Sequence, residues 1–168
     1  MGPADRPARP LYTQAERSRR DASPWTLVQG VLAPLQFAIF LASLVLVLRA
    51  LATGGGFAAA EISVVVKTLA LYAIMVTGSV WEKAVFGRWL FAPAFFWEDV
   101  VSMLVLALHT AYLAALATGA LGGEALLCLA LAAYATYVVN AGQFVLKLRA
   151  ARLQGSEPAA PRFAEALS

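Results

Sequence analysis

Four long apolar runs, separated by short polar or glycine-rich breaks, dominate the chain. The first extends from Trp25 to about Leu48, enough at about 1.5 Å per residue to cross a hydrocarbon core of about 30 Å as a helix. Pro34, near its middle, removes a backbone donor and is expected to kink it. Thr53-Gly54-Gly55-Gly56 reads as a turn. The second run, about Glu61 to Val85, is interrupted by Lys67 and closes on Glu82 and Lys83. The third runs from about Phe95 through His109 to Ala117, Gly122-Gly123 make the next turn, and the fourth runs from about Ala125 to Leu148. The pattern predicts an all-α, integral membrane four-helix bundle with spans over 25–48, 61–85, 95–117 and 125–148. It is flanked by an extended Pro- and Arg-rich arm over 1–24 and a short disordered tail over 149–168. The first apolar run is about 25 residues long and lacks a small-residue cleavage site, so it reads as a retained span.

Polar positions inside the runs are not scattered. At about 100° per residue, Glu98 and His109 lie within about 20° of each other on the third helix, with Ser102 and Tyr112 near the same stripe. Thr136, Asn140, Gln143 and Lys147 form a second stripe on the fourth helix, and Gln29 and Gln36 share one side of the first. The second helix carries Ser79 and Glu82, with Tyr72 and Lys67 deeper. Ionisable groups in a membrane normally face the bundle interior. Turned inward, these lines would enclose a polar pocket with apolar walls, suited to a large, flat, amphiphilic molecule. The competing reading is that Gln29, Gln36, Asn140 and Gln143 only join helix to helix.

Composition agrees with the membrane class: of 168 residues 61% are hydrophobic and 14% charged, against roughly a quarter charged in soluble domains. The net charge of +3 does not indicate nucleic acid, because no aromatic-interleaved basic patch accompanies the arginines. Topology accounts for it. Eleven Lys and Arg flank the arm, the second-to-third connection and the tail, and only Arg49 and Lys67 lie toward the other side. Both termini are therefore expected in the cytoplasm. The single cysteine, Cys128, excludes an internal disulfide and reads as a buried small hydrophobe.

The densest chemistry lies between Trp81 and Asp99, where three of the four tryptophans meet Glu82, Glu98, Asp99, Lys83 and Arg88. The plain reading of Trp81, Trp89 and Trp97 is interfacial anchoring. There is no Gly-rich phosphate loop, no Cys-X-X-Cys and no Glu-X-X-His pair. Acid–base chemistry remains. Carboxyl groups crowded together beside apolar surroundings can keep a proton at neutral pH and deliver it. The alternative is that they pair with Lys83 and Arg88 as ordinary interfacial charges. His109, the only histidine, is open to three roles: axial ligand of a metal carried by a bound tetrapyrrole, general base, or helix-packing hydrogen bonder.

Pro24-Trp25-Thr26-Leu27-Val28-Gln29-Gly30-Val31-Leu32-Ala33-Pro34, Trp81-Glu82-Lys83-Ala84-Val85-Phe86-Gly87-Arg88, Phe91-Ala92-Pro93-Ala94-Phe95-Phe96-Trp97-Glu98-Asp99 and Leu108-His109-Thr110-Ala111-Tyr112-Leu113 together resemble the vinyl bacteriochlorophyllide hydratase family, over about Leu11 to Leu153. The resemblance implies a hydro-lyase of bacteriochlorophyll synthesis, multi-pass in the bacterial inner (cytoplasmic or intracytoplasmic) membrane. It would add water to the C3-vinyl group of chlorophyllide a or a bacteriochlorophyllide to give a 1-hydroxyethyl group. No cofactor is implied beyond the magnesium that the chlorin substrate carries. Partners would be the substrate, water and the bilayer, with contacts to other pigment-synthesis enzymes and a homo-oligomer also compatible. A non-catalytic tetrapyrrole carrier or assembly factor is the alternative.

Vinyl hydration needs a protonated acid near the terminal carbon, a positioned water and a flat slot for the ring. Glu98 is the expected donor, with Glu82 or Asp99 positioning water and His109 either ligating the substrate's magnesium or acting as a second acid–base group. Lys83 and Arg88 suit the substrate's propionate. Trp81, Phe96 and Trp97 suit stacking on the ring. Tyr112, Gln29, Asn140 and Gln143 complete the expected substrate-binding lining.

Overall fold

The computed structural model of the chain describes residues 11–155. Five helices follow one another: α1 (Gln14–Ala22), α2 (Pro24–Thr53), α3 (Phe57–Phe86), α4 (Phe96–Thr118) and α5 (Gly123–Gly155). The last four are long and apolar enough to cross a membrane. α2, α3 and α5 extend into the flanking sequence, because hydropathy marks where lipid contact ends and not where helical hydrogen bonding ends, whereas α4 matches its predicted span to within one residue. The residues beyond each run remain compatible with a helix until a glycine stops it. Gly54, Gly87 and Gly119 each take a left-handed conformation, with φ of 68°, 77° and 63°, and return their N–H to the preceding turn. Pro34 sits inside α2, which continues through it.

Three expectations change. The tail is not disordered from residue 149, because α5 continues as a helix to Gly155, and residues 156–168 lie outside the described residues. The described part of the N-terminal arm is not extended: Thr13 and Glu16 form a reciprocal cap, Thr13 Oγ1 accepting from the Glu16 N–H at 3.3 Å and Glu16 Oε2 from the Thr13 N–H at 2.7 Å. Residues 1–10, with Arg6 and Arg9, lie outside the described residues. Cys128 is exposed, not buried. Leu126, Leu127 and Ala130 take the inner face of α5 at that level and turn Cys128 outward.

α2 packs chiefly on α3 and α4 on α5, so the bundle is two hairpins, joined mainly through α2 and α5. Phe40, Val47, Val64, Leu71, Val105, Leu127 and Tyr134 fill the space between them. Outer faces are lined by apolar side chains such as Leu27, Val45, Ile62, Val76 and Val145, the pattern expected when lipid and not water surrounds the helices. The buried polar side chains Gln36, Ser43, Lys67, Thr68, Glu82, Glu98, Asp99, Ser102, His109 and Asn140 all face inward.

α1 closes one end of the bundle. It packs on α3, where Arg19 Nε donates to the Val85 carbonyl at 2.7 Å, satisfying an acceptor in the last helical turn. Tyr12 stacks on Phe86 at 5.8 Å and meets Phe95 at 6.3 Å, forming a second small core with Val85.

Candidate active site

The connection from α3 to α4, residues 87–95, is folded back onto the two helices it joins. Phe91 holds a left-handed φ of 58°, which is uncommon for a bulky residue and must be supported by its surroundings. Two carboxyl groups supply that support. Asp99 Oδ2 accepts from the Phe91 N–H at 2.7 Å, and Glu82 Oε2 accepts from the Ala92 N–H at 3.1 Å. Both carboxyl groups are almost wholly shielded, at 3% and 5% exposure, and they bind the N–H groups of adjacent residues. The end of α3 and the start of α4 thus hold two buried carboxyl groups roofed by the Phe91–Ala92 backbone.

Glu98, one residue earlier, points elsewhere. It pairs with Lys147 of α5 at 2.5 Å. Asn140 of α5 donates to the Glu98 backbone carbonyl at 2.9 Å and accepts from Ser102 at 3.1 Å, so Asn140 joins helix to helix. Gln29 does the same between α2 and α3, donating to Thr77 Oγ1 at 2.7 Å. Gln143 is half-buried, and its Oε1 has no hydrogen-bond partner among the described residues.

The aromatic residues divide into an inner and an outer set. Trp81 is part of the packing: its indole N–H donates to Thr26 Oγ1 at 3.0 Å, and its ring meets Phe86 and Phe95 edge-on, each at 5.7 Å. Phe91, Phe96 and Trp97 form an exposed run, with ring centroids 5.9 Å and 5.3 Å apart in turn. Lys83 and Arg88 are exposed at the same end of the bundle. Lys83 Nζ donates to the Gly87 carbonyl at 2.9 Å and lies 5.9 Å from the Trp89 ring.

His109 is remote from this end. Ten residues beyond Asp99 along α4, it lies about 15 Å deeper. It is fully buried, with Nδ1 2.8 Å from the Val105 carbonyl and its ring 5.9 Å from that of Tyr134. Tyr112, one turn further, is equally buried. Among the described residues no group of three or more His, Cys, Asp or Glu converges to hold a metal ion. A surface hollow lined by Gly122, Gly123, Glu124, Ala125 and Cys128 lies at the opposite end and contains none of the expected site residues.

Of the expected site residues, Glu82, Asp99, Glu98, Lys83, Arg88, Phe96 and Trp97 therefore gather at one end of the bundle, whereas His109 and Tyr112 belong to its middle. Sequence reasoning missed Phe91, whose backbone conformation has no signature in the sequence, and Lys147 as the partner of Glu98. It also left Lys67 without a role, although a lone cation within an apolar run was a visible signal.

The profile of 2-vinyl bacteriochlorophyllide hydratase (BCHF) matches residues 12–150, which include every one of these groups. The chain belongs to this family. It is 66% identical over 146 residues to the 2-vinyl bacteriochlorophyllide hydratase of Rhodobacter capsulatus, covering 87% of this chain and 85% of that protein. It is 66% identical over 147 residues to the protein of the same name from Cereibacter sphaeroides, covering 88% and 91%. No solved structure matches the chain. Family membership extends over all four apolar helices and the 87–95 connection, so the carboxyl pair lies within the part of the chain that defines the family.

Proposed function

We infer that this protein is a membrane-embedded hydro-lyase that adds water to the ring vinyl group of a bacteriochlorophyll precursor, giving a 1-hydroxyethyl group. The observation that carries the chemistry is the pair of buried carboxyl groups, Glu82 and Asp99, held side by side by the Phe91–Ala92 backbone. The activity itself follows from family membership over residues 12–150. The proton shared by the pair goes to the terminal CH2 of the vinyl group, whose π electrons form the new C–H bond. The inner carbon becomes cationic and shares its charge with the macrocycle. A water oxygen then adds there and returns a proton to the pair, so one water is consumed and the pair is regenerated.

This assignment moves the donor role from Glu98 to Glu82 and Asp99. A carboxylate held by Lys147 is a poor proton donor but a good acceptor, so Glu98 takes the role of orienting water. The macrocycle rests against the exposed rings of Phe91, Phe96 and Trp97, with Lys83 and Arg88 reaching its propionate. His109 lies too deep to serve a ring docked there. The basic end faces the cytoplasm of a bacterial inner membrane, as the eleven-to-two distribution of Lys and Arg supports.

Exposed ion pairs contribute little, so Lys83→Ala and Arg88→Ala should each raise KM only about two- to fivefold and leave kcat unchanged. An unchanged KM in the double variant removes the propionate contact. The activity is tested by incubating the purified protein with chlorophyllide a in 18O-labelled water. A hydratase yields a product carrying one labelled hydroxyl group. A carrier leaves the pigment bound and unlabelled.

A further inference from the structure

Lys67, His109 and Tyr112 are completely shielded, yet Lys67 Nζ, His109 Nε2 and the Tyr112 hydroxyl have no hydrogen-bond partner among the described residues. Native interiors rarely leave such atoms unanswered, least of all in a membrane, where each costs several kcal/mol. The three lie at neighbouring levels of the bundle. His109 and Tyr112 are one turn apart on α4, the Tyr134 ring of α5 lies 5.9 Å from His109, and Tyr137, which Lys67 touches, is one turn beyond Tyr134. Lys67 Nζ sits 3.8 Å from the Tyr137 ring centroid, a cation–π contact that uses none of its N–H donors.

The donor and acceptor pattern selects the ligand. His109 Nδ1 faces the Val105 carbonyl, so the neutral ring carries its proton there and presents Nε2 as an acceptor. Lys67 offers only donors, and Tyr112 offers one donor and acceptor lone pairs. A bridging group must accept from an ammonium and donate to an imidazole nitrogen. An anion would set its lone pairs against Nε2, and a metal cation would face the ammonium. Water meets both demands.

We propose that Lys67, His109 and Tyr112 form an internal water site in the middle of the bundle. From it, Tyr137 and Asn140 of α5 lead back along one helix face, and Asn140 is bonded to Ser102 and to the Glu98 carbonyl. On the hydration reading above, on which this role rests, the site stores water inside the bundle while a docked macrocycle covers the outer aromatic face.

The test is hydroxyl-radical labelling by X-ray radiolysis of the full chain in lipid nanodiscs, without pigment. Labelling rates are normalised to those of the detergent-denatured chain. His109 and Tyr112 should label well above Val47 and Val85, which are equally buried beside apolar groups. Lys67→Met should abolish the excess. If that variant does not fold, Tyr112→Phe decides, because it keeps the ring and should lower labelling at His109. Background labelling of His109 and Tyr112 in the unmodified protein, or undiminished labelling in the folded variants, overturns the proposal. Labelling requires no turnover, so its failure leaves the hydratase reading intact, and an inactive preparation leaves this test intact.

Discussion

Glu82→Gln and Asp99→Asn are each expected to lower kcat for vinyl hydration by about 10²–10⁴-fold, the range supplied by a positioned general acid. The amide variants are chosen because each side chain has two tasks. One carboxyl oxygen of each residue accepts a backbone N–H from the 87–95 connection, Glu82 from Ala92 and Asp99 from Phe91. Gln and Asn keep a carbonyl oxygen for that bond and remove only the exchangeable carboxyl proton. Pigment binding and helical content should therefore stay unchanged while turnover falls. Ala variants would also release Phe91 from its left-handed conformation and could not separate the two tasks. Glu98→Gln should retain most of the proton delivery that the pair performs. If Glu98→Gln abolishes turnover and Glu82→Gln does not, the donor is Glu98.

Lys147→Met should destabilise the bundle by about 3 kcal/mol, within the range measured when one partner of a buried ion pair is removed. Glu98 is 7% exposed, so without Lys147 its carboxylate has little access to water. The side chain of Lys147 is 25% exposed, which places the effect at the lower end of that range. The Glu98→Gln, Lys147→Met double variant should recover much of the loss, since no uncompensated charge remains. Denaturant unfolding of the four proteins in one detergent gives the coupling energy as a double-mutant cycle. Additive losses would mean that the ion pair contributes nothing to stability.

Much of the architecture was legible because it depends on local composition. Apolar runs of membrane-spanning length marked the four long helices, and the glycines between them marked where helices stop. Helix phase was less legible. Glu98, Ser102 and His109 were placed on one inward face by their spacing, but Cys128 lies in a uniformly apolar stretch where periodicity gives no direction. α1 was missed because the prolines outweighed the capping signal of Thr13 and Glu16. The gathering of Glu82, Glu98 and Asp99 could be read from the short connection between their helices. Their division into a carboxyl pair and an ion pair could not, because it depends on how α5 is set against α4 and so brings Lys147 to Glu98. Trp81 likewise looked like a stacking surface, whereas its contacts with Thr26, Phe86 and Phe95 make it part of the packing.

The most direct test of a proton-sharing Glu82–Asp99 pair is infrared spectroscopy of the purified protein at neutral pH. A protonated carboxyl group gives a carbonyl stretch well separated from that of a carboxylate. The expected result is one such band in the unmodified protein, lost in Glu82→Gln and in Asp99→Asn and retained in Glu98→Gln. A band that disappears only in Glu98→Gln, or no band at all, would contradict it.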